Sequence, residues 1–275
     1  MQLIINTLNT LFKPAKSANI LSMIERGELI LLFADPARNY LVKVNDKRFH
    51  TDKGYIELSS IKEKSFGDSV KTNLGEQFYI LKPALNDLIM KIRRETQIIY
   101  PKDIGIILLK SGIYPGAKII ECGTGSGSLT IALSTFVQPS GKIYTYEKRK
   151  KFLENSKKNI ERYGLEKYVE FKEKDITDKF DETDIDFVMI DIGSPWKLID
   201  AAYKSLKPSG RFATICPTFE QLTETVFTLE EKGFINTEAL EVLVRRILVR
   251  RGKTRPEQRI PSHTGFLVFA TKCTQ

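Results

Sequence analysis

The chain has 275 residues, 41% hydrophobic and 28% charged, with a formal net charge of +9, the make-up of a globular protein with one main core and room for a small appended domain. The basic excess suits a polyanionic partner, or equally a well-solvated surface. Its 3 Cys, none in a Cys-x-x-Cys pair, and 2 His argue against a zinc site or a disulfide framework; no apolar run reaches about 18 residues and no signal-peptide core is visible, so the expected location is the cytoplasm.

Residues 1–26 are a weakly patterned lead-in. Leu8, Leu11, Ile20, Leu21 and Ile24 fall on one helical face, interrupted by Pro14. Over 27–82 the texture changes to short apolar runs at 29–33, 40–44, 54–58 and 77–81, separated by turn formers such as Asp35-Pro36 and Asp52-Lys53-Gly54. That spacing predicts a small β-barrel or sandwich. Residues 83–112 read as a helical linker broken at Tyr100-Pro101, with Asp103 as the expected cap of the helix beyond.

From 113 to 275 strand and helix alternate. Strands are expected at 118–122, 142–147, 169–173, 186–191 and 211–216. Helices are expected at 128–136, 150–163 and 196–206, and over Phe219, Leu222, Val226 and Leu229 up to Gly233. Two further β stretches, 239–249 and 265–271, close the chain. Repeated β-α-β units imply an α/β fold, a mainly parallel sheet with helices on both faces.

The sharpest motif follows the first of these strands: Glu121-Cys-Gly123-Thr124-Gly125-Ser126-Gly127-Ser128-Leu129-Thr130. Glycines let the backbone turn tightly and let a ligand approach it, and the helix that follows aims free N–H groups at that ligand. A dinucleotide fingerprint needs glycine at 128 or 130, where Ser128 and Thr130 stand. What remains, acid-x-Gly-x-Gly-x-Gly, resembles the first motif of class I S-adenosylmethionine methyltransferases. Glu147 ends the second strand, where a carboxylate can accept two ribose hydroxyls. Lys148 follows it, and Asp175 and Ile176 follow the third strand, where the resemblance places adenine contacts. The fourth strand runs into Asp191, followed by Pro195-Trp196. Ligands bind beyond the carboxyl ends of such strands, which puts Asp191 beside the cofactor.

A narrower resemblance rests on three separated elements: Arg94-Glu-Thr96-Gln97-Ile-Ile-Tyr100-Pro101-Lys-Asp103, Asp191 through Pro195-Trp196, and Arg255-Pro256 with His263-Thr264-Gly265-Phe266-Leu267. In this order they resemble the tRNA adenine-N1 methyltransferases that act on the T-loop, from about Gly27 to Ala270. The resemblance implies a Rossmann-like methyltransferase domain with a seven-stranded sheet and a small N-terminal β-domain. It implies S-adenosylmethionine held with help from Gln97 and Tyr100, a tRNA substrate methylated at adenine 58 or also at 57, no metal, and a homotetramer. Asp191 takes the catalytic role. An acid hydrogen-bonded to the adenine amino group stabilises the positive charge that develops as N1 attacks the methyl carbon. Tyr100 and Trp196 are candidates to stack on an extruded base. The chain departs from the family where many members carry Arg-Trp, having Arg246-Ile247.

Two basic runs complete the reading. Arg245, Arg246, Arg250, Arg251, Lys253, Arg255 and Arg259, with Glu257 as the lone acid among them, are expected to meet RNA phosphates. Arg250, Arg251, Arg255 and His263 are the substrate-side candidates. Lys148 to Lys151 reads instead as a solvated face. Two alternatives stay open: a class I methyltransferase with another acceptor, such as a protein isoaspartyl group or a corrin precursor, and a tRNA-binding subunit without catalysis.

Overall fold

The computed structural model describes residues 23–258 and 263–274. The chain divides into two units, Met1–Asp87 and Leu88–Gln275. In the first, alternation of apolar and polar residues sets which face of each strand is buried. In β6 (Gln77–Leu81), Phe78 and Ile80 point inward while Gln77 and Tyr79 face water. It lies in an antiparallel sheet in the order β2 (Asn39–Lys43), β1 (Leu29–Phe33), β6, β5 (Ser69–Lys71). A separate hairpin of β3 (Arg48–Thr51) and β4 (Gly54–Glu57) adds Ile56 to the same core. Strands β3 and β5 are short and half exposed, which is why apolar pattern does not reveal them. Ile24 is not helical; it is buried among Ile30, Ile56, Ile61 and Phe78. The rest of the predicted N-terminal helix lies outside the described residues.

In chain order α1 (Leu85–Met90) and α2 (Pro101–Lys110) follow β6. Tyr100, not Asp103, is the cap residue of α2, because Pro101 fits the first helical position and needs no N–H partner. Asp103 sits inside the first turn and is fully buried.

The second unit is a seven-stranded sheet in the order β12 (Phe234–Glu241), β15 (Phe266–Lys272), β11 (Leu206–Cys216), β10 (Ile185–Ile190), β7 (Lys118–Cys122), β8 (Lys142–Glu147), β9 (Val169–Glu173). Strands β11, β10, β7, β8 and β9 run parallel, and β15 runs antiparallel between β11 and β12. The crossover helices are α3 (Ser128–Phe136), α4 (Lys150–Arg162), α5 (Ile199–Ser205) and α6 (Phe219–Glu231). The central strands are buried almost throughout, as a sheet covered on both faces requires. On one face of the sheet Ile120, Val188 and Ile190 make one core cluster with Phe212, Leu229, Phe234 and Val268.

Three boundaries move. Strand β11 starts at Leu206 rather than 211, because Pro208-Ser209-Gly210, which reads as a turn, is carried within the strand as a register shift; a Cβ at Gly210 would stand 2.8 Å from the Lys207 carbonyl oxygen. The predicted 196–206 helix begins as a single 3-10 turn, Pro195–Leu198, before α5. The predicted 239–249 strand is instead β12, ending at Glu241, followed by irregular chain and a small hairpin of β13 (Ile247–Leu248) and β14 (Arg255–Pro256). A register shift near Asn236, whose φ is 54°, breaks the alternation at the start of β12 and hides it from pattern reading.

Candidate active site

Adjacent parallel strands end side by side, and four ends supply the site. The chain leaves β7 at Gly123, β8 at Glu147, β9 just before Asp175 and β10 at Asp191. Backbone bonds lock the ends together: Gly123 N–H donates to the Tyr146 carbonyl at 2.9 Å, Asp191 N–H to the Cys122 carbonyl at 2.7 Å, and Lys174 N–H to the Glu147 carbonyl at 3.3 Å. Neighbouring strands lie about 4.8 Å apart. The register therefore sets Asp175, Glu147, the glycine loop and Asp191 in a row along one rim.

Beyond the rim lies a cleft of about 1030 Å³ lined by Gly123, Gly125, Glu147, Lys148, Asp175, Ile176 and Asp191. Gln97 lines it too, and also a smaller recess with Glu121, Thr124, Ser126, Ser128 and Leu129. A site of this size, part apolar with a few fixed carboxylates, is what a nucleoside-sized ligand needs. The Glu147 carboxylate is 4% exposed and accepts from Gly125 N–H at 3.2 Å and Arg149 N–H at 3.0 Å. Those bonds fix its direction while leaving lone pairs for two hydroxyls. Asp191 differs. No described residue donates a hydrogen bond to its side chain, and burial, then the charge of Glu147, pushes its carboxyl up to about 6. A desolvated acid without a protein partner is the mark of a site awaiting one.

Glu121 lies beneath the loop, 2% exposed, accepting from Thr130 Oγ1 at 2.6 Å and Thr145 Oγ1 at 2.7 Å. Burial pushes it up to about 7 against those two bonds. Thr130 thus serves the loop from behind, as Thr124 does through its 2.6 Å contact with Thr145. Gly127 takes the cap position of α3 at φ 84°. Ser126 is a strut: its Oγ accepts from the Glu95 and Thr96 N–H groups at 3.0 and 3.1 Å. Asn159 of α4 donates to the Arg93 and Ser126 carbonyls at 3.0 and 2.9 Å. Together they hold residues 93–97 as one wall of the cleft.

Other candidates stand elsewhere. Tyr100 and Trp196 are not among the residues lining the cleft. Tyr100 caps α2 beneath the Arg94 guanidinium, and Trp196 packs on the sheet core. His263 spends both ring nitrogens inside the protein, on Glu241 Oε1 at 2.7 Å and the Pro217 carbonyl at 2.8 Å. The Glu241 bond, then the Pro217 bond, holds its pKa above the usual value. That occupation argues against direct substrate contact. Arg250, Arg251 and Arg255 are exposed on the 242–258 arm, away from the cleft lining; Arg259 lies outside the described residues.

Sequence reading missed Glu95, Arg149, Phe152, Lys197, Pro217 and Thr264, all of which line the cleft. Pro217 was within reach, since it ends another parallel strand, β11. Thr264 stood in a motif already singled out. The two basic runs also part company. Lys148 pairs with Asp175, Arg149 with Glu147 and Lys151 with Glu95. Arg245, Arg246, Arg250, Arg251, Lys253 and Arg255 are all exposed, and none forms an ion pair with a described residue.

Comparison with known proteins decides among the methyltransferases that share this architecture. The family model described as "tRNA methyltransferase complex GCD14 subunit" matches residues 76–255. The chain belongs to this family. It is similar to the tRNA (adenine(57)-N(1)/adenine(58)-N(1))-methyltransferase TrmI of Methanocaldococcus jannaschii, 33% identical over 87% of this chain and 93% of that one. Among solved structures it is similar to the tRNA (m1A58) methyltransferase TrmI of Aquifex aeolicus, with a TM-score of 0.78, 28% identity and coverage of 92% and 100%. It is also similar to a Thermotoga maritima chain described as a SAM-dependent O-methyltransferase, with a TM-score of 0.86, 38% identity and coverage of 94% and 97%. The row of strand-end acids and the exposed cations of the arm up to Arg255 both lie within the matched residues.

Proposed function

We propose that this enzyme transfers a methyl group from S-adenosylmethionine to N1 of an adenine in the tRNA T-loop. The observation that carries the reading is the alignment of Asp175, Glu147, the glycine loop and Asp191 along one cleft, in a chain of the tRNA methyltransferase family. When bound, S-adenosylmethionine supplies an electrophilic methyl carbon. Glu147 is set to hold its ribose hydroxyls, and Asp175 with Ile176 its adenine. Of the acids that face the cleft, Glu95, Glu147 and Asp175 have basic partners, and Asp191, which has none among the described residues, is the one free to favour a cationic ligand in a partly desolvated space.

The unpaired Asp191 carboxylate accepts a hydrogen bond from the amino group of the target adenine. That bond orients N1 toward the methyl carbon and stabilises the positive charge that spreads over the base as N1 attacks. The base must leave its stack to reach the cleft, at a cost of a few kcal/mol, and the arginine arm supports the RNA through its phosphates. Position 58 is the target we favour, with 57 as a second. Incubation with unmodified tRNA and S-adenosylmethionine, followed by mass-spectrometric mapping of methylated adenosines, tests this; methylation of an oxygen or of a protein acceptor instead would reject it.

The same reading carries a cytoplasmic enzyme acting as four copies. Leu243, Val244, Ile247 and Val249 are each about half exposed or more on the arm, more apolar surface than one copy needs there; light scattering gives the mass. If the arm grips phosphate, Arg250→Glu with Arg251→Glu weakens tRNA binding at least about tenfold and flattens the slope of log K against log salt by about two. A salt dependence equal to that of wild type would place the RNA on another surface.

A further inference from the structure

The arm leaves the sheet after Glu241 and the chain rejoins it at Phe266. Both feet are held by one buried polar cluster that the chemistry above does not use. Lys102 Nζ donates to the Asp103 carboxylate at 2.8 Å, to the Val242 carbonyl at 2.7 Å and to Thr264 Oγ1 at 2.6 Å. Thr264 Oγ1 in turn donates to the other Asp103 oxygen at 2.8 Å. All three ammonium donors are therefore filled. The Asp103 side chain is 0% exposed and that of Lys102 11%. One step outward, His263 ties the same feet to each other and to the end of β11 through Glu241 and the Pro217 carbonyl.

An ion pair buried only to start a helix would not need partners from two distant segments. Lys102 and Asp103 reach 140 and 161 residues along the chain, to the two points from which the arm springs. On the near side they follow directly on 95–99, the wall of the cleft, and Thr264 itself lines that cleft. We infer that Lys102, Asp103 and Thr264 form a positioning latch, which fixes the base of the arginine arm to the wall of the methyl-donor cleft so that RNA held by the arm presents its base in register. The inference rests on the RNA reading of the arm given above. None of the three needs to touch the reacting atoms.

Removing one partner of a buried pair strands a charge, so the decisive variant removes both: Lys102→Met with Asp103→Leu. Trypsin cleavage at the arm arginines, followed by mass spectrometry without RNA, reads whether the feet are held. Local opening governs such cleavage, and we expect it about tenfold faster than in wild type. In steady state, KM for tRNA rises at least about fivefold while kcat and the S-adenosylmethionine Kd stay within about twofold, because the latch acts on RNA placement. A purely structural role would instead lower Tm and leave both arm cleavage and the KM-to-kcat split unmoved. Should the double variant fail to fold, Thr264→Val and Thr264→Ser decide the matter. Valine frees the arm and serine restores its protection; equal cleavage rates in those two overturn the latch. Because proteolysis uses no RNA, a chain that ignored tRNA would defeat the functional reading and leave the latch to be judged separately.

Discussion

Replacing Asp191 by alanine is expected to lower kcat at least about 100-fold, as loss of a fixed transition-state charge does elsewhere, with the S-adenosylmethionine Kd held within a few-fold. The reason is positional. Asp191 follows β10 and is fixed by its backbone bond to Cys122, so the carboxylate is placed before any substrate arrives. Titration calorimetry with the cofactor and single-turnover methylation separate the two quantities; near-wild-type turnover would remove Asp191 from the chemistry. The working form is the carboxylate, and burial with the nearby Glu147 holds its pKa near 6. The rate should therefore fall as pH drops through about 6, with Asp191→Asn abolishing that limb.

Stability runs the other way. Between about pH 4 and pH 6 the folded chain keeps a proton on Asp191 that the unfolded chain has released, so Asp191 weakens the fold progressively as pH rises through that window. Asn at this position relieves the cost, and Asp191→Asn should melt higher than wild type at pH 7.5 in the absence of cofactor. A buried acid that costs stability is what the proposed role of Asp191 leads one to expect.

Strands β7 and β10 were legible because buried parallel strands are mostly apolar runs, β8 and β9 because β-formers stand between the helices, and the strand ends predicted where the acids fall. The latch was not. Lys102 and Asp103 look like surface charges beside a proline, and nothing local says that their partners come from beyond residue 240. The surroundings of Tyr100 and Trp196 were not legible for a related reason. An aromatic next to a functional motif is as readily a helix cap or a core contact as a stacking platform, and only packing decides. The two basic runs were read apart in sequence, and the folded surface adds the acids that meet Lys148, Arg149 and Lys151.

Gly123→Ala tests how the loop and the reacting end depend on each other, and it is expected to lose both binding and turnover. Gly123 has φ 99°, and a Cβ there would stand 2.1 Å from the Asp191 carbonyl oxygen. The colliding atom is backbone, so no rotamer change relieves it. The Asp191 N–H bond to Cys122 has to stretch and β10 has to part from β7 where the two strands deliver their ligands. Strain and misfit of this kind cost about 3 kcal/mol or more. The displaced carboxylate adds a rate loss of at least about 100-fold, because ångström-scale misplacement is enough. Gly164→Ala is the matched control. Its φ is 68° with nothing within 4 Å of the added carbon, so it pays only the left-handed backbone cost of about 1 kcal/mol and keeps its activity. Thermal melts, cofactor titration and turnover on both variants should therefore diverge sharply. If Gly123→Ala behaved like Gly164→Ala, the close packing of the glycine loop against the Asp191 backbone would be wrong, and with it the proposed coupling between the loop that follows β7 and the acid that follows β10.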